Sequence, residues 1–220
     1  MNKIKAVVFD CDGVMFDTAE VNKRYYNRVL DHFNKPPLTR SQFIKVHMFS
    51  VKEAIAYLFP ERQDLTGVFD YMQGFNYGEF ISLMTIEPGL IHLLDRLKER
   101  EYIRAVATNR TNTMAEVVRV FDLGHRFESI VTAADVENPK PAPDQLFKIM
   151  DQFELKAREI LFVGDSSFDQ MAAAAAGTFF VAFNNLSLTA DFHFNSMAAI
   201  GELLNIDKPI NVLDKKGNDD

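Results

Sequence analysis

The sequence predicts an α/β protein with a parallel sheet and an inserted helical subdomain, and three observations predict it. Short β-branched or apolar runs ending in polar residues alternate with segments of helical period, the pattern of βα units. A long stretch between the first and second of these runs, about 15–87, has helical period and no convincing strand. Glycines follow the helical segments ending at Leu123 and Ala176, where a C-terminal cap belongs.

Taken in order, the first strand is read near 4–10, on the apolar run Ala6 to Phe9. In the insertion, apolar residues recur near a 3.6-residue period at Val21, Tyr25, Val29 and Phe33, then at Val51, Ala54, Ile55 and Leu58, then at Val68, Met72 and Phe75. Pro36-Pro37 and Phe59-Pro60 break it into separate helices, and Glu87-Pro88-Gly89 marks the return to the main domain. Its aromatics, such as Phe43, Tyr57, Phe69, Tyr71 and Phe80, read as a small core rather than a stacking platform. Strands follow near 103–108, 129–133, 160–164 and 178–183. Helices fall between them over Asn112–Leu123, Pro143–Phe153 and Phe168–Ala176. The expected organisation is a core of 1–15 and 88–207, a helical cap of 16–87, and a polar, aperiodic, disordered tail over 208–220.

Composition narrows the function classes. A chain of 220 residues, 47% hydrophobic, can bury a substantial core without staples. Cys11 is the single cysteine, which excludes an intrachain disulfide and fits a reducing compartment, with the cytoplasm as the default. The N-terminal apolar run is too short for a signal peptide, and no stretch approaches the ~18 apolar residues of a membrane span. A net charge of −7 argues against a nucleic-acid binder, so a phosphate-bearing ligand is expected to be small.

The chemistry concentrates at strand ends. Asp10-Cys11-Asp12-Gly13 lies at the carboxyl end of the first strand, where open α/β sheets bind ligands. Residues two apart share a strand face, and Gly13 permits a sharp turn beyond them, so two carboxylates could converge on one pocket. Like charges so close call for a cation or a shared proton, and magnesium suits hard carboxylate oxygens. Alone, the pair could equally punctuate a turn. A second acidic cluster, Gly164-Asp165-Ser166-Ser167-Phe168-Asp169, follows the strand Ile160 to Val163. Asp165 or Ser166 could also be a plain helix N-cap. Thr108-Asn109 end another strand before a helix, and Lys140 sits between Pro139 and Pro141, which could fix its ammonium in place. Taken singly, helix capping and a solvated surface lysine account for them as well.

Together these segments resemble the haloacid dehalogenase superfamily, in its phosphatase branch with a small helical cap, similar to phosphoglycolate phosphatases and beta-phosphoglucomutases. The matching pieces are Val8-Phe9-Asp10-Cys11-Asp12-Gly13-Val14, Ala107-Thr108-Asn109, Lys140-Pro141-Ala142-Pro143-Asp144 and Val163-Gly164-Asp165-Ser166-Ser167-Phe168-Asp169. The resemblance implies a doubly wound, Rossmann-like parallel sheet with the first strand central and the insertion as a mobile lid. It implies hydrolysis of a small phosphorylated metabolite by a monomer or homodimer. Asp10 would be the nucleophile that becomes an aspartyl-phosphate, and Asp12 the general acid and base. Magnesium would be held by Asp10, the Asp12 carbonyl and Asp165, with Asp169 as an additional or outer acidic group. Thr108, Asn109 and Lys140 would bind the phosphoryl group.

The sequence departs from the family at Val14, where threonine is commoner, and over Val46 to Glu53, where a glycine is often found. A lysine-glycine-serine-arginine pattern of the sugar-phosphate mutases is not visible in that segment, which counts against the alternative of a beta-phosphoglucomutase-type phosphomutase. A catalytically silent binding module is the other alternative. His47 and Lys52 are candidate substrate contacts from the lid, with a surface or helix-packing role as the alternative, and Arg110 is a candidate polar contact near the entrance, with simple exposure as the alternative. Cys11 is read as a small core hydrophobe, and His32, His92, His125 and His193 as structural or exposed.

Overall fold

A computed structural model describes residues 4–74 and 78–206, so Phe75 and the expected tail lie outside the described residues. In chain order the strands are β1 (Ala6–Phe9), β2 (Phe16–Asp17), β3 (Thr85–Ile86), β4 (Ile103–Thr108), β5 (Ser129–Thr132), β6 (Ile160–Gly164), β7 (Phe179–Phe183) and β8 (Phe192–Phe194). The helices α1 (Ala19–His32), α2 (Arg40–Met48), α3 (Val51–Leu58), α4 (Thr66–Gln73) and α5 (Gly78–Ile81) lie between β2 and β3. After β3 come α6 (Leu90–Glu99), α7 (Thr113–Val120), α8 (Asp144–Gln152), α9 (Ser167–Ala176) and α10 (Met197–Leu203).

The main sheet is six-stranded, in the order β5-β4-β1-β6-β7-β8, and every pairing is parallel. β1 is buried along its whole length, as a strand covered on both faces must be. Its side chains alternate. Val7 and Phe9 join the hydrophobic cluster that includes α6, α7 and α10, while Ala6 and Val8 join the one containing Leu146, Ile149, Ala172 and Ala173 of α8 and α9. α6 shows how sequence becomes packing. Leu90, Leu93, Leu94 and Leu97 recur at helical spacing and are all buried, each contributing about 1.5–3 kcal/mol by leaving water.

The register positions the site. Phe9 stands level with Val106 of β4 and Val163 of β6. The polar residues just beyond, Asp10, Thr108 and Asp165, therefore emerge side by side at the carboxyl edge of adjacent strands. The crossover order places β1 between β4 and β6, which is the switch point of a doubly wound sheet.

The structure corrects several expectations. The insertion is not helical throughout: at its base Phe16 pairs with Ile86 and Asp17 with Thr85 in an antiparallel ribbon. Strands of this length carry no period to read. The helix expected to reach Leu123 ends at Val120, and the left-handed residue beyond it is Asp122, with φ 51°, rather than Gly124. Gly177 does cap α9 in the left-handed region, with φ 74°. β8 adds an edge strand that the sequence reading lacked. Among the described residues no helix is long and apolar enough to cross a membrane.

Candidate active site

Asp10 continues β1, its N–H donating to Val163 O at 2.9 Å, and its side chain is nearly buried. Lys140 Nζ donates to Asp10 Oδ1 at 2.8 Å and to Asp169 Oδ1 at 2.6 Å. The lysine is held from behind. Asn109 Nδ2 donates to the Lys140 carbonyl at 2.9 Å, and the buried Gln145 of α8 accepts from Lys140 N at 3.4 Å and donates to Thr108 O at 2.6 Å. Gln145 thus ties the lysine loop to β4. The sequence reading missed it, because a glutamine inside an amphipathic helix carries no signal of its own.

The second acidic cluster has a division of labour. Ser166 is the N-cap of α9, its Oγ accepting from Asp169 N at 3.2 Å. In return Asp169 Oδ2 accepts from Ser166 N at 3.0 Å, from Ser166 Oγ at 2.6 Å and from Asp165 N at 3.2 Å. Asn185 Nδ2 donates to the Asp165 carbonyl at 2.8 Å and steadies the same turn. Glycines make room for these carboxylates: a Cβ on Gly164 would overlap Asp169, and one on Gly13, whose φ is 78°, would overlap the Asp165 carboxylate.

One oxygen from each of Asp10, Asp165 and Asp169 lies within 4.8 Å of the others. Asp169 already spends one oxygen on Lys140 and the other on the helix cap, so it serves as scaffold. Asp10 and Asp165 are left facing each other. Burial pushes the Asp10 carboxyl up to about 7, against the pull of Lys140 and with help from Asp169 and Asp12. Burial, then Asp169 and Asp10, hold Asp165 well above the usual carboxylate range. Burial alone would lower Lys140, but Asp10 and Asp169 outweigh it and raise it above the ordinary lysine value. A buried and a partly buried carboxylate that resist ionisation, offering hard oxygen donors within 4.8 Å of one another, fit a small divalent cation.

Asp12 is held differently. Arg110 Nε donates to its Oδ2 and Arg110 Nη2 to its Oδ1, both at 2.7 Å, in a two-pronged ion pair. Burial by itself would raise the Asp12 carboxyl, but Arg110 outweighs it and brings the value down to about 2. Arg110, expected as a polar contact near the entrance, borders the cavity but is buried, with only 7% of its surface exposed, against Asp12. From the helical insertion, Asn22 Nδ2 lies 3.5 Å from Asp12 Oδ1 and 3.1 Å from His47 Nδ1. Burial lowers His47, against Asp12, which raises it.

Arg110→Met is expected to lower stability by up to about 3 kcal/mol at pH 7, since it leaves the Asp12 carboxylate, only 17% exposed, without its partner. Asp12 titrates below its unfolded value, so its stabilising effect exists above about pH 4 and fades as pH falls through about 2. The Arg110→Met penalty should accordingly shrink as denaturation is measured at lower pH. A penalty that stays unchanged between about pH 4 and 2 would show that packing, not charge, carries it.

These residues border a cavity of about 400 Å³ that also touches Thr108, Asn109 and Ser166 on one side and His47 and Phe49 on the other. Asn109 Oδ1 is buried and finds no hydrogen-bond partner among the described residues. Lys52 is exposed on α3 and does not border the cavity. Phe43 does, so that aromatic belongs to the cavity wall as well as to the insertion's packing. Cys11 is fully buried in the core, and burial, then Asp12, pushes its thiol far up, away from reactivity. His32 stacks on Tyr71 with ring centroids 3.4 Å apart.

Comparison with known proteins places the arrangement. Residues 7–183 match the family described as haloacid dehalogenase-like hydrolase. A solved HAD-superfamily hydrolase of subfamily IA, variant 1, from Geobacter sulfurreducens is 38% identical, with a TM-score of 0.74 over 91% of this chain and 96% of that one. A phosphoglycolate phosphatase of Haemophilus influenzae is 28% identical over 88% of this chain and 89% of its own. A pyrophosphatase, PpaX, of Bacillus velezensis is 27% identical over 80% of this chain and 81% of its own.

Proposed function

The chain belongs to the haloacid dehalogenase-like hydrolase family, and from that premise we propose that it is a magnesium-dependent phosphatase acting on a small phosphate monoester through Asp10. The observation that carries the reading is the buried constellation in which Asp10 and Asp165 face one another while Lys140 contacts Asp10. The similarity to a phosphoglycolate phosphatase and a pyrophosphatase supports phosphoryl transfer as the reaction.

In this reading one Asp10 oxygen attacks phosphorus, the bond from phosphorus to the ester oxygen breaks, and the leaving alkoxide takes a proton from Asp12. Water then attacks the aspartyl-phosphate, gives its proton to the Asp12 carboxylate, and Asp10 is regenerated as phosphate departs. Asp10, Asp165 and the Asp12 carbonyl would hold magnesium, which when bound neutralises charge on the transferring phosphoryl group. Lys140, Thr108 and Asn109 orient that group. Arg110 keeps Asp12 ionised at rest, which suits the base step; the acid step requires the Asp12–Arg110 pair to loosen.

The insertion over 16–87 acts as a lid hinged at the β2–β3 ribbon. In support, Phe49 at the end of α2 reaches Phe168 of α9 with centroids 5.8 Å apart, and Ser167 Oγ lies 3.4 Å from Met48 Sδ. The test is phosphate release from a panel of phosphomonoesters with magnesium and with a chelator. Turnover should require the metal, and magnesium alone should raise Tm. Equal turnover in the chelator would refute the reading.

A further inference from the structure

We infer that the leaving group of the substrate is uncharged and carries an apolar face, a preference distinct from the phosphoglycolate and pyrophosphate named in the relatives. The inference rests on the phosphatase reading and extends it to the half of the cavity that phosphate does not fill.

Much of the remaining wall is apolar, although Asn22, His47, Asn185 and Ser187 also border the cavity. Ile44, Met48, Phe49, Val51, Phe168 and Leu188 border the cavity from α2, α3, α9 and the loop before β8. Ile44 keeps 55% of its surface exposed, so part of this wall awaits cover. Phe49 and Phe168 present neighbouring rings at an interplanar angle of 34°, and Phe49 also packs edge-on against Tyr57. Rigid aromatic walls favour a flat or aliphatic group over a hydrated one.

The charges point the same way. Among the described residues bordering the cavity the lysines and arginines are Lys140 and Arg110. Lys140 is bonded to two carboxylates, and Arg110 is bonded to both oxygens of Asp12. Apart from the metal that Asp10 and Asp165 would hold for the transferring phosphoryl group, a carboxylate or second phosphate on the leaving group would meet no lysine or arginine uncommitted to a carboxylate among the described residues bordering the cavity. A desolvated charge so placed is unfavourable. An uncharged group meets no such barrier and removes the aromatic wall from water.

The test compares 2-phenylethyl phosphate, phosphoglycolate and pyrophosphate in the magnesium-loaded full chain. The first should show a kcat/KM at least about tenfold above the others. Phe49→Ala and Phe168→Ala should each raise KM for 2-phenylethyl phosphate about fivefold or more while leaving inhibition by orthovanadate, which occupies only the phosphoryl site, unchanged. Calorimetry on magnesium-loaded Asp10→Asn protein should show the same order of binding. A preference for phosphoglycolate or pyrophosphate overturns this inference and leaves the phosphatase reading standing. An absence of turnover of any ester, with no binding to the Asp10→Asn protein, removes both.

Discussion

Asp10→Asn is expected to lower turnover by about 10⁴-fold or more and, in metal-free protein at pH 8, to raise Tm. The first effect follows from loss of the nucleophile, since an amide oxygen is a poor nucleophile. The second follows from the buried charges. Without metal, Lys140 pairs with Asp10 and Asp169 while Asp165 lies beside them, and burial pushes Asp10 up to about 7. A group whose folded value lies above its unfolded one adds stability that is fully present below about pH 4 and is lost as pH rises through about 7. Asparagine does not ionise, so the variant escapes that loss, and its advantage should vanish towards pH 4. Magnesium should stabilise the parent more than the variant. Thermal unfolding in a chelator across this range checks the sign, and a variant less stable than the parent at pH 8 would count against this picture of the cluster.

Lys140→Met should be the most destabilising single change at the site. The lysine is 2% exposed and is bonded to Asp10 and Asp169, so its removal leaves buried carboxylates facing each other without a cation. Breaking a buried pair in this way costs about 3–5 kcal/mol, or roughly 10 °C in Tm for a chain of this size. Methionine keeps most of the stem's volume, which separates charge from packing. Adding Asp169→Asn should recover part of the loss, because it removes the carboxylate that loses its partner, although it also weakens the cap of α9. The pair Arg104–Glu128, remote in sequence from the acidic clusters, has a buried arginine but an exposed glutamate, and provides a contrast in which loss of the ion pair should cost less. If Lys140→Met costs under about 1 kcal/mol, the ion pairs are not holding the cluster together.

Much of this was legible in the sequence, for identifiable reasons. β1, β4, β6 and β7 are buried nearly throughout, so their apolar runs stand out. Asp10, Thr108 and Asp165 stand out in the sequence because each ends or follows an apolar strand run, and Lys140 because prolines flank it; the structure brings all four to the border of one cavity. The β2–β3 ribbon was not legible, since paired strands of two residues have no period. Arg110 was placed at the entrance because its neighbour Asn109 flanks the site, but the partner that buries it, Asp12, is distant in sequence. The dual duty of Asp169 was likewise hidden. Its capping box with Ser166 is a local pattern that could have been read, whereas its bond to Lys140 depends on how the α8 loop folds back over β4. His47 and Lys52 lie close together in the chain, yet only His47 borders the cavity, because α2 and α3 turn different faces towards it.

The central claim is that Asp10 carries the phosphoryl group during turnover. The most direct measurement is the mass of the peptide containing Asp10 after rapid acid quench of the magnesium-loaded enzyme turning over a substrate from the panel. The account predicts that this peptide gains one phosphoryl group, and that the corresponding Asp10→Asn peptide gains none. A phosphoryl group on any other residue, or steady turnover by Asp10→Asn, would contradict it.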